Sequence, residues 1–244
     1  MTQSQSAAPT PTNPAAIGLR PLTPPQSRYR ISDAVFSTLS ESIRNLQLPP
    51  GSSISEPSIA ASLQVSRSPV REAFTRLVDL GLITVVPQVG SQIAPISISE
   101  VEEAVFIRRA LETSAFQQAI AVDVPDTTQL QSLVDANATA ARKGDTHEFI
   151  ATDERLHQEV FALAGAPRIW EVVRGTKIQL DRLRWLSLDD SVANTELLVE
   201  HQQLVDALKA RDSTAGTRVI AKHSTRVLTD TTRLRANNPT FFTE

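Results

Sequence analysis

The sequence predicts a mainly α chain in two parts: three short helices closed by a β-hairpin, then an all-α bundle of six helices. Three observations predict it. In the first third, apolar residues recur at steps of three and four in short segments broken by Pro and Gly. Leu82-Ile83-Thr84-Val85-Val86 and Ser91-Gln92-Ile93-Ala94 are β-prone and flank a Pro87–Gly90 turn. After Ile96, Pro and Gly thin out, and long amphipathic segments follow without a convincing strand.

The 244 residues suffice for two modest domains. Residues 1–27, rich in Pro, Ala, Thr, Ser and Gln with Arg20 the sole charge, are expected to be a disordered tail. The first helix spans Ile31 to Leu46 with Val35, Leu39 and Ile43 inward, and Leu48-Pro49-Pro50-Gly51 stops it. Ile59, Ala60 and Leu63 make a short second helix, and Gln64-Val65-Ser66 is a tight link. In Ser66-Arg67-Ser68-Pro69-Val70-Arg71-Glu72-Ala73 a third helix opens. Ser66 or Ser68 can cap it, and Pro69 suits its first turn. Val70, Phe74, Leu77 and Leu80 form its buried stripe, which leaves Arg67, Arg71 and Arg76 elsewhere, and Gly81 ends it. Two short helices, the second basic at its front, read as a helix-turn-helix, and the hairpin as its wing.

Six helices follow: from Ser97 or Ser99 to about Val122, Asp126–Lys143, Asp145–Leu163, Pro167–Leu188, Ser191–Arg211 and Thr214–Arg235. The domain expectations are 28–96 for the winged helix, 97–236 for the helical domain and 237–244 for a closing tail. No apolar run is of membrane-spanning length, and no charged start precedes an apolar core as in a secretory signal. Zero cysteines exclude disulfides and thiolate metal sites and fit a cytoplasmic protein. The net charge of −3 is unevenly spread: from Arg28 to Ala94 six arginines face five acids. Any nucleic-acid affinity there must come from placement, not bulk charge.

Polar residues interrupt the apolar stripes of the bundle. On the third of its helices Asp153 and His157, four apart, share a face with Phe149, Leu156 and Val160. His201 sits among Leu197, Leu204 and Leu208, and His223 among Val219, Ile220 and Val227. A carboxylate on a buried face is costly unless paired or metal-bound. Each histidine alone reads as a core residue with one hydrogen-bond partner. Together, three imidazoles and a carboxylate suit Zn²⁺ or Ni²⁺, with Mn²⁺ less apt. His147, beside Glu148 at a helix start, reads as surface.

Leu48-Pro49-Pro50-Gly51, Ser55-Glu56, the Ser66–Ala73 octapeptide, Gly81-Leu82-Ile83 and Pro87-x-x-Gly90 resemble the N-terminal domain of GntR-type bacterial transcription regulators. Asp153 with His157, Glu200-His201 before Leu204, Ala207-Leu208, Asp212 and Ala221-x-His223 resemble the helical sensor domain, called FCD, of its FadR-like branch. The resemblance implies a cytoplasmic, homodimeric, double-stranded-DNA-binding regulator meeting a near-palindromic operator, its affinity controlled by a small carboxylate effector. Arg30, Ser66, Arg67, Ser68, Arg71 and Gly90 are the implied DNA contacts, with Arg67 and Arg71 toward base edges or phosphates. Asp153, His157, His201 and His223 are the implied ligands of a divalent metal, zinc foremost. Arg108, Arg182 and Arg184 resemble effector-contacting positions; each could instead lie on the surface or pair with acids such as Glu112 and Asp181. Pro57, Val89 and Ala166 depart from the family pattern. The rival is a metal-dependent hydrolase or lyase built on the Asp/His set, which would leave the first domain without a role.

Overall fold

The computed structural model describes residues 18–22, 30–88, 90–121, 126–187 and 195–243. The expectations for residues 1–17, Arg28 and Val89, and for the helix ends near Val122, Leu188 and Ser191, lie outside them. The chain divides into two compact units, residues 1–97 with 238–244, and 98–237.

In the first unit α1 (Ile31–Arg44) buries Val35, Leu39 and Ile43 completely. Helix α2 (Glu56–Leu63) is capped by Ser55, whose side chain accepts from the Ser58 amide at 3.3 Å, and Pro57 fits its first turn. Gln64, left-handed at φ 56°, ends α2 and turns the chain into α3 (Arg67–Asp79). Ser66 is the N-cap of α3, but neither it nor Ser68 caps through its side chain. Val70, Phe74 and Leu77 are buried as expected, whereas Leu80 is 49% exposed. Leu80 is the C-cap, where the chain leaves the helix for Gly81 at φ 65°, so the stripe ends one turn early.

The wing is β2 (Ile83–Val86) paired antiparallel with β3 (Gly90–Ile93), with Gln88 and Gly90 at φ 63° and 117° in the turn. A two-residue strand, β1 (Ser53–Ile54), pairs with the far side of β3 and makes the order β1-β3-β2. Two residues are too few for any periodicity, so β1 is silent in the sequence. The closing residues, expected as a tail, form a short 3₁₀ turn (Pro239–Phe241). The Ile96 amide donates to the Phe241 carbonyl at 2.7 Å, and the Thr243 amide to the Ile96 carbonyl at 3.1 Å.

The second unit comprises α4 (Ile98–Ala121), α5 (Thr128–Lys143), α6 (Thr146–Leu163), α7 (Ile169–Thr176), α8 (Ile178–Leu186), α9 (Thr195–Ala210), α10 (Ser213–Thr229) and α11 (Thr231–Asn237). Gly144, at φ 65°, ends α5, and Asp145 accepts from the Glu148 amide to start α6. Two of the six expected helices are interrupted. The fourth breaks at Lys177, just after Gly175-Thr176, and the sixth at Asp230, within Thr229-Asp230-Thr231-Thr232. Glycine, threonine and aspartate are weak helix formers, and a run of them lets the axis turn.

The core joins Phe116 of α4, Phe161 of α6, Leu204 and Leu208 of α9 and Ile220 of α10. Helix α10 meets α4 at Gly216, where a Cβ would lie 2.0 Å from Cζ of Phe116. The absent side chain lets the ring seat directly on the α10 backbone. Among the described residues, no helix is long and apolar enough to cross a membrane.

Candidate functional site

Asp153 and His157 of α6, His201 of α9 and His223 of α10 converge in the second unit, with exposures of 0, 2, 1 and 9%. One ligand atom from each lies within 4.8 Å of all the others. His157 Nε2 is 3.0 Å from His223 Nε2, His201 Nε2 is 3.2 Å from Asp153 Oδ1, and His157 Nε2 is 3.9 Å from that same oxygen. Atoms held about 2.1 Å from one shared ion sit about 3.0–3.4 Å apart. The tighter of these separations match that spacing.

Each imidazole has an acceptor near its other nitrogen, at hydrogen-bonding range for His157 and His201 but only at ion-pair distance for His223, whose Nδ1 makes no hydrogen bond. His157 Nδ1 lies 3.2 Å from Glu112 Oε1, His201 Nδ1 3.1 Å from Asn137 Oδ1, and His223 Nδ1 3.4 Å from Glu200 Oε2. An acceptor there holds the proton on Nδ1 and turns the Nε2 lone pair toward the common point. Asp153 Oδ1 and His201 Nε2 are buried with no hydrogen-bond partner. With Nε2 unprotonated on both rings, the 3.0 Å His157–His223 contact beside the unpartnered Asp153 oxygen is repulsive unless a cation lies between them. The residues present therefore fit a divalent metal.

Charge states agree with that fit. Burial pushes His223 down to about 3, against the pull of Glu200, and burial also lowers His157 despite Glu112. Burial would raise Asp153, but Arg184 and the neighbouring imidazoles hold it well below the usual carboxylate range. Neutral imidazole and ionised carboxylate are the forms that coordinate.

The surrounding charges are themselves tied down. Arg184 Nη2 bonds Asp153 Oδ2, and its Nη1 lies 3.1 Å from Glu154 Oε1. Lys177, 1% exposed at the break between α7 and α8, reaches Glu154 Oε1 at 2.5 Å and Asp181 Oδ1 at 2.6 Å. Arg108 Nε donates to Glu112 Oε1 at 2.7 Å, while its Nη2 stands 3.5 Å from His223 Nε2. A cavity opens beside His223, lined by Arg108, Arg184 and Arg226 with apolar wall from Phe149, Leu180 and Val227. For Arg108 and Arg184 the two sequence alternatives coincide, since each pairs with an acid and also lines the cavity. Arg182 is separate. It is fully buried, donates to Gln179 Oε1 at 2.9 Å, and does not line this cavity. Burial lowers it to about 10, opposed by Glu100. Two residues from Arg184 on one helix, it faces a different side. His147 is exposed and packs against the tilted Trp185 ring, with centroids 5.0 Å apart.

Sequence reading missed Asn137, Glu154, Lys177 and Arg226. Asn137 alone left a usable trace, since it breaks an otherwise apolar stripe of Leu130, Leu133, Val134 and Ala140.

In the first unit, Arg30 is the exposed N-cap of α1, and Ser66, Arg67, Ser68 and Arg71 are exposed at the front of α3. Arg71 Nε lies 3.2 Å from Glu56 Oε2. Arg76 is committed elsewhere: it bonds Asp33 at 2.8 Å and lies 3.8 Å over the Phe36 ring. Gly90 holds the exposed wing turn.

A helix-turn-helix with a wing, followed by a helical domain with a buried His/Asp cluster beside an arginine-lined cavity, defines a DNA-binding protein with a second, helical domain. Residues 31–93 match bacterial regulatory proteins of the gntR family, and residues 103–226 match the FCD domain. An HTH-type transcriptional regulator in an unstable DNA locus of Streptomyces ambofaciens is 32% identical over 209 residues, covering 85% of this chain and 88% of that one. The HTH-type transcriptional repressor RspR of Escherichia coli K12 is 28% identical over 215 residues, 88% of this chain and 94% of its own. The solved structure of E. coli McbR/YncC shares the fold at a TM-score of 0.70 and 22% identity, covering 86% of this chain and 99% of that one. The chain belongs to the GntR family of bacterial transcription regulators, with an FCD domain following the winged helix. It is a DNA-binding transcription regulator and not an enzyme, which sets aside the hydrolase or lyase alternative.

Proposed function

We propose that this regulator is a cytoplasmic homodimer whose affinity for a near-palindromic operator is set by a small carboxylate bound beside a divalent metal in the helical domain. One observation carries the reading: the ligand atoms of three imidazoles and one buried carboxylate lie within 4.8 Å of one another, next to a cavity lined by guanidinium groups. Asp153, His157, His201 and His223 would hold the metal. Three imidazoles and one carboxylate favour Zn²⁺ or Ni²⁺ over Mn²⁺, zinc foremost. A bound ion supplies a Lewis-acidic position for a carboxylate oxygen. Arg108 and Arg184 orient the acid through their remaining N–H groups, and the apolar wall excludes water from its carbon chain.

At the other unit, α3 enters the major groove with Arg67 and Arg71 toward base edges or phosphates. The Ser66 and Ser68 hydroxyls, not used in capping, are available to phosphate, as is Arg30 at the start of α1. Gly90 lets the wing tip approach the minor groove.

Metal removal tests the reading. A ligand that binds only the folded state stabilises it by mass action, so chelator-stripped protein should melt lower and Zn²⁺ or Ni²⁺ should restore it. His157→Ala should abolish that restoration while effector-free DNA affinity stays near wild type, and His147→Ala should behave as wild type. Full metal content in a His157→Ala, His201→Ala double variant would refute the ligand set. Effector-driven release from DNA that persists in stripped protein would show that the acid binds without the metal.

A further inference from the structure

We propose that the effector is two-ended: a carboxylate at the His223 end of the cavity and, about two helical turns along α10, a hydrogen-bond donor, hydroxyl or ammonium, received by Asp230. This rests on the acid-effector reading above and narrows it. Helix α10 and its C-cap contribute His223, Arg226, Val227 and Asp230 to the lining. These are positions i, i+3, i+4 and i+7, which share one helix face. Seven residues at about 1.5 Å each separate the two ends by about 10 Å.

The ends differ in charge. At the first, Arg108 Nη2 stands 3.5 Å from His223 Nε2, and Arg184 lines the same side. At the other, Asp230 is the one carboxylate among the described lining residues, with the Thr229 hydroxyl beside it. The last carbonyls of α10 are taken up locally, that of Arg226 by Thr229 Oγ1 at 2.7 Å and that of Leu228 by Thr231 Oγ1 at 2.9 Å, so the acceptor at this end is the Asp230 carboxylate itself. Leu180, Leu197 and Val227 line the cavity as apolar wall. Arg226, on the same face of α10, is engaged by Glu196 and Glu200. Asp230 has Arg233 at 3.7 Å, with both side chains about half exposed. A pair that long and that exposed contributes little, so the Asp230 oxygens retain acceptor capacity. A second carboxylate placed there would meet like charge, and an alkyl end would leave Asp230 desolvated without a partner.

Isothermal titration of the metal-loaded full chain with hexanoate, its ω-hydroxy and ω-amino derivatives, and adipate tests this. The two donor-ended acids should bind about tenfold or more tightly than adipate. Asp230→Asn and Asp230→Ala should collapse that ratio, loosening the donor-ended acids and tightening adipate and hexanoate, while the melting temperature stays near wild type. Adipate binding as tightly as the ω-amino acid, or a ratio unchanged in both Asp230 variants, would overturn the two-ended effector and leave the acid reading standing. No binding of any of the four acids would overturn both.

Discussion

Replacing Asn137 with alanine should weaken the metal centre without removing any of its four donors. Asn137 is fully buried on α5 and joins three neighbours. Its Oδ1 accepts from His201 Nδ1 at 3.1 Å, and its Nδ2 donates to the Phe149 carbonyl at 2.8 Å and to Thr152 Oγ1 at 2.9 Å. Without the acceptor, nothing keeps the His201 proton on Nδ1, and the tautomer with Nε2–H aimed at Asp153 becomes competitive. Loss of such an outer partner costs metal affinity about 10–100-fold, or about 1.4–2.7 kcal/mol. The metal-free fold should lose about 3 kcal/mol for three buried hydrogen bonds at about 1 kcal/mol each. Asn137→Asp separates the effects, because it keeps an acceptor for His201 but loses both donations. It should be less stable yet hold metal near wild-type strength. Competition against a chromophoric chelator reads affinity, and urea unfolding of stripped protein reads stability. Wild-type affinity in Asn137→Ala would show that His201 does not depend on its Nδ1 partner and would remove the outer shell from the account.

Three further outcomes are expected. In the fold His157 and His223 lie below the ordinary imidazole value of 6.5, His223 at about 3. Below about pH 6.5 the unfolded chain therefore binds more protons than the native one, and stability rises with pH. Metal-free protein should lose up to about 1.4 kcal/mol per imidazole per pH unit as pH falls through that window; a flat urea midpoint would contradict buried neutral imidazoles. Arg71→Ala should weaken binding to a duplex selected from random sequence by about 1–3 kcal/mol if it reads a base, or lower affinity uniformly with a shallower salt slope if it touches phosphate; unchanged affinity in gel-shift titration would remove α3 as the reading helix. Gly216→Ala, whose new Cβ would collide with the Phe116 ring, should destabilise by about 1–3 kcal/mol and weaken metal binding, and Phe116→Leu in the same chain should recover part of both; an unperturbed melting curve would refute the close packing.

What the sequence disclosed follows a physical divide. The winged helix was legible because its cues are local: spacing of Val35, Leu39 and Ile43, a Gly81 stop, a turn between two β-prone runs. The four converging donors were legible as anomalies, polar residues on apolar stripes. What they lean on was not. Glu154 and Arg226 are ordinary charges in sequence, and only tertiary packing brings Glu154 to Lys177 or Arg226 to Glu200. Leu80 and Arg182 show the converse error. Helical spacing placed Leu80 inward, but the helix ends before it; a family pattern grouped Arg182 with Arg184, but two steps on a helix point in different directions.

The Phe116 ring seated at Gly216 acts as a detent between two rods. From Phe116 back to Arg108 is about 12 Å along α4, and from Gly216 forward to His223 about 10 Å along α10. The two lengths nearly cancel, which brings Arg108 level with His223. A bare backbone notch facing a rigid ring admits one setting and resists intermediate ones. The register of α10 on α4 is thereby fixed, and with it the alignment of Arg108 and His223.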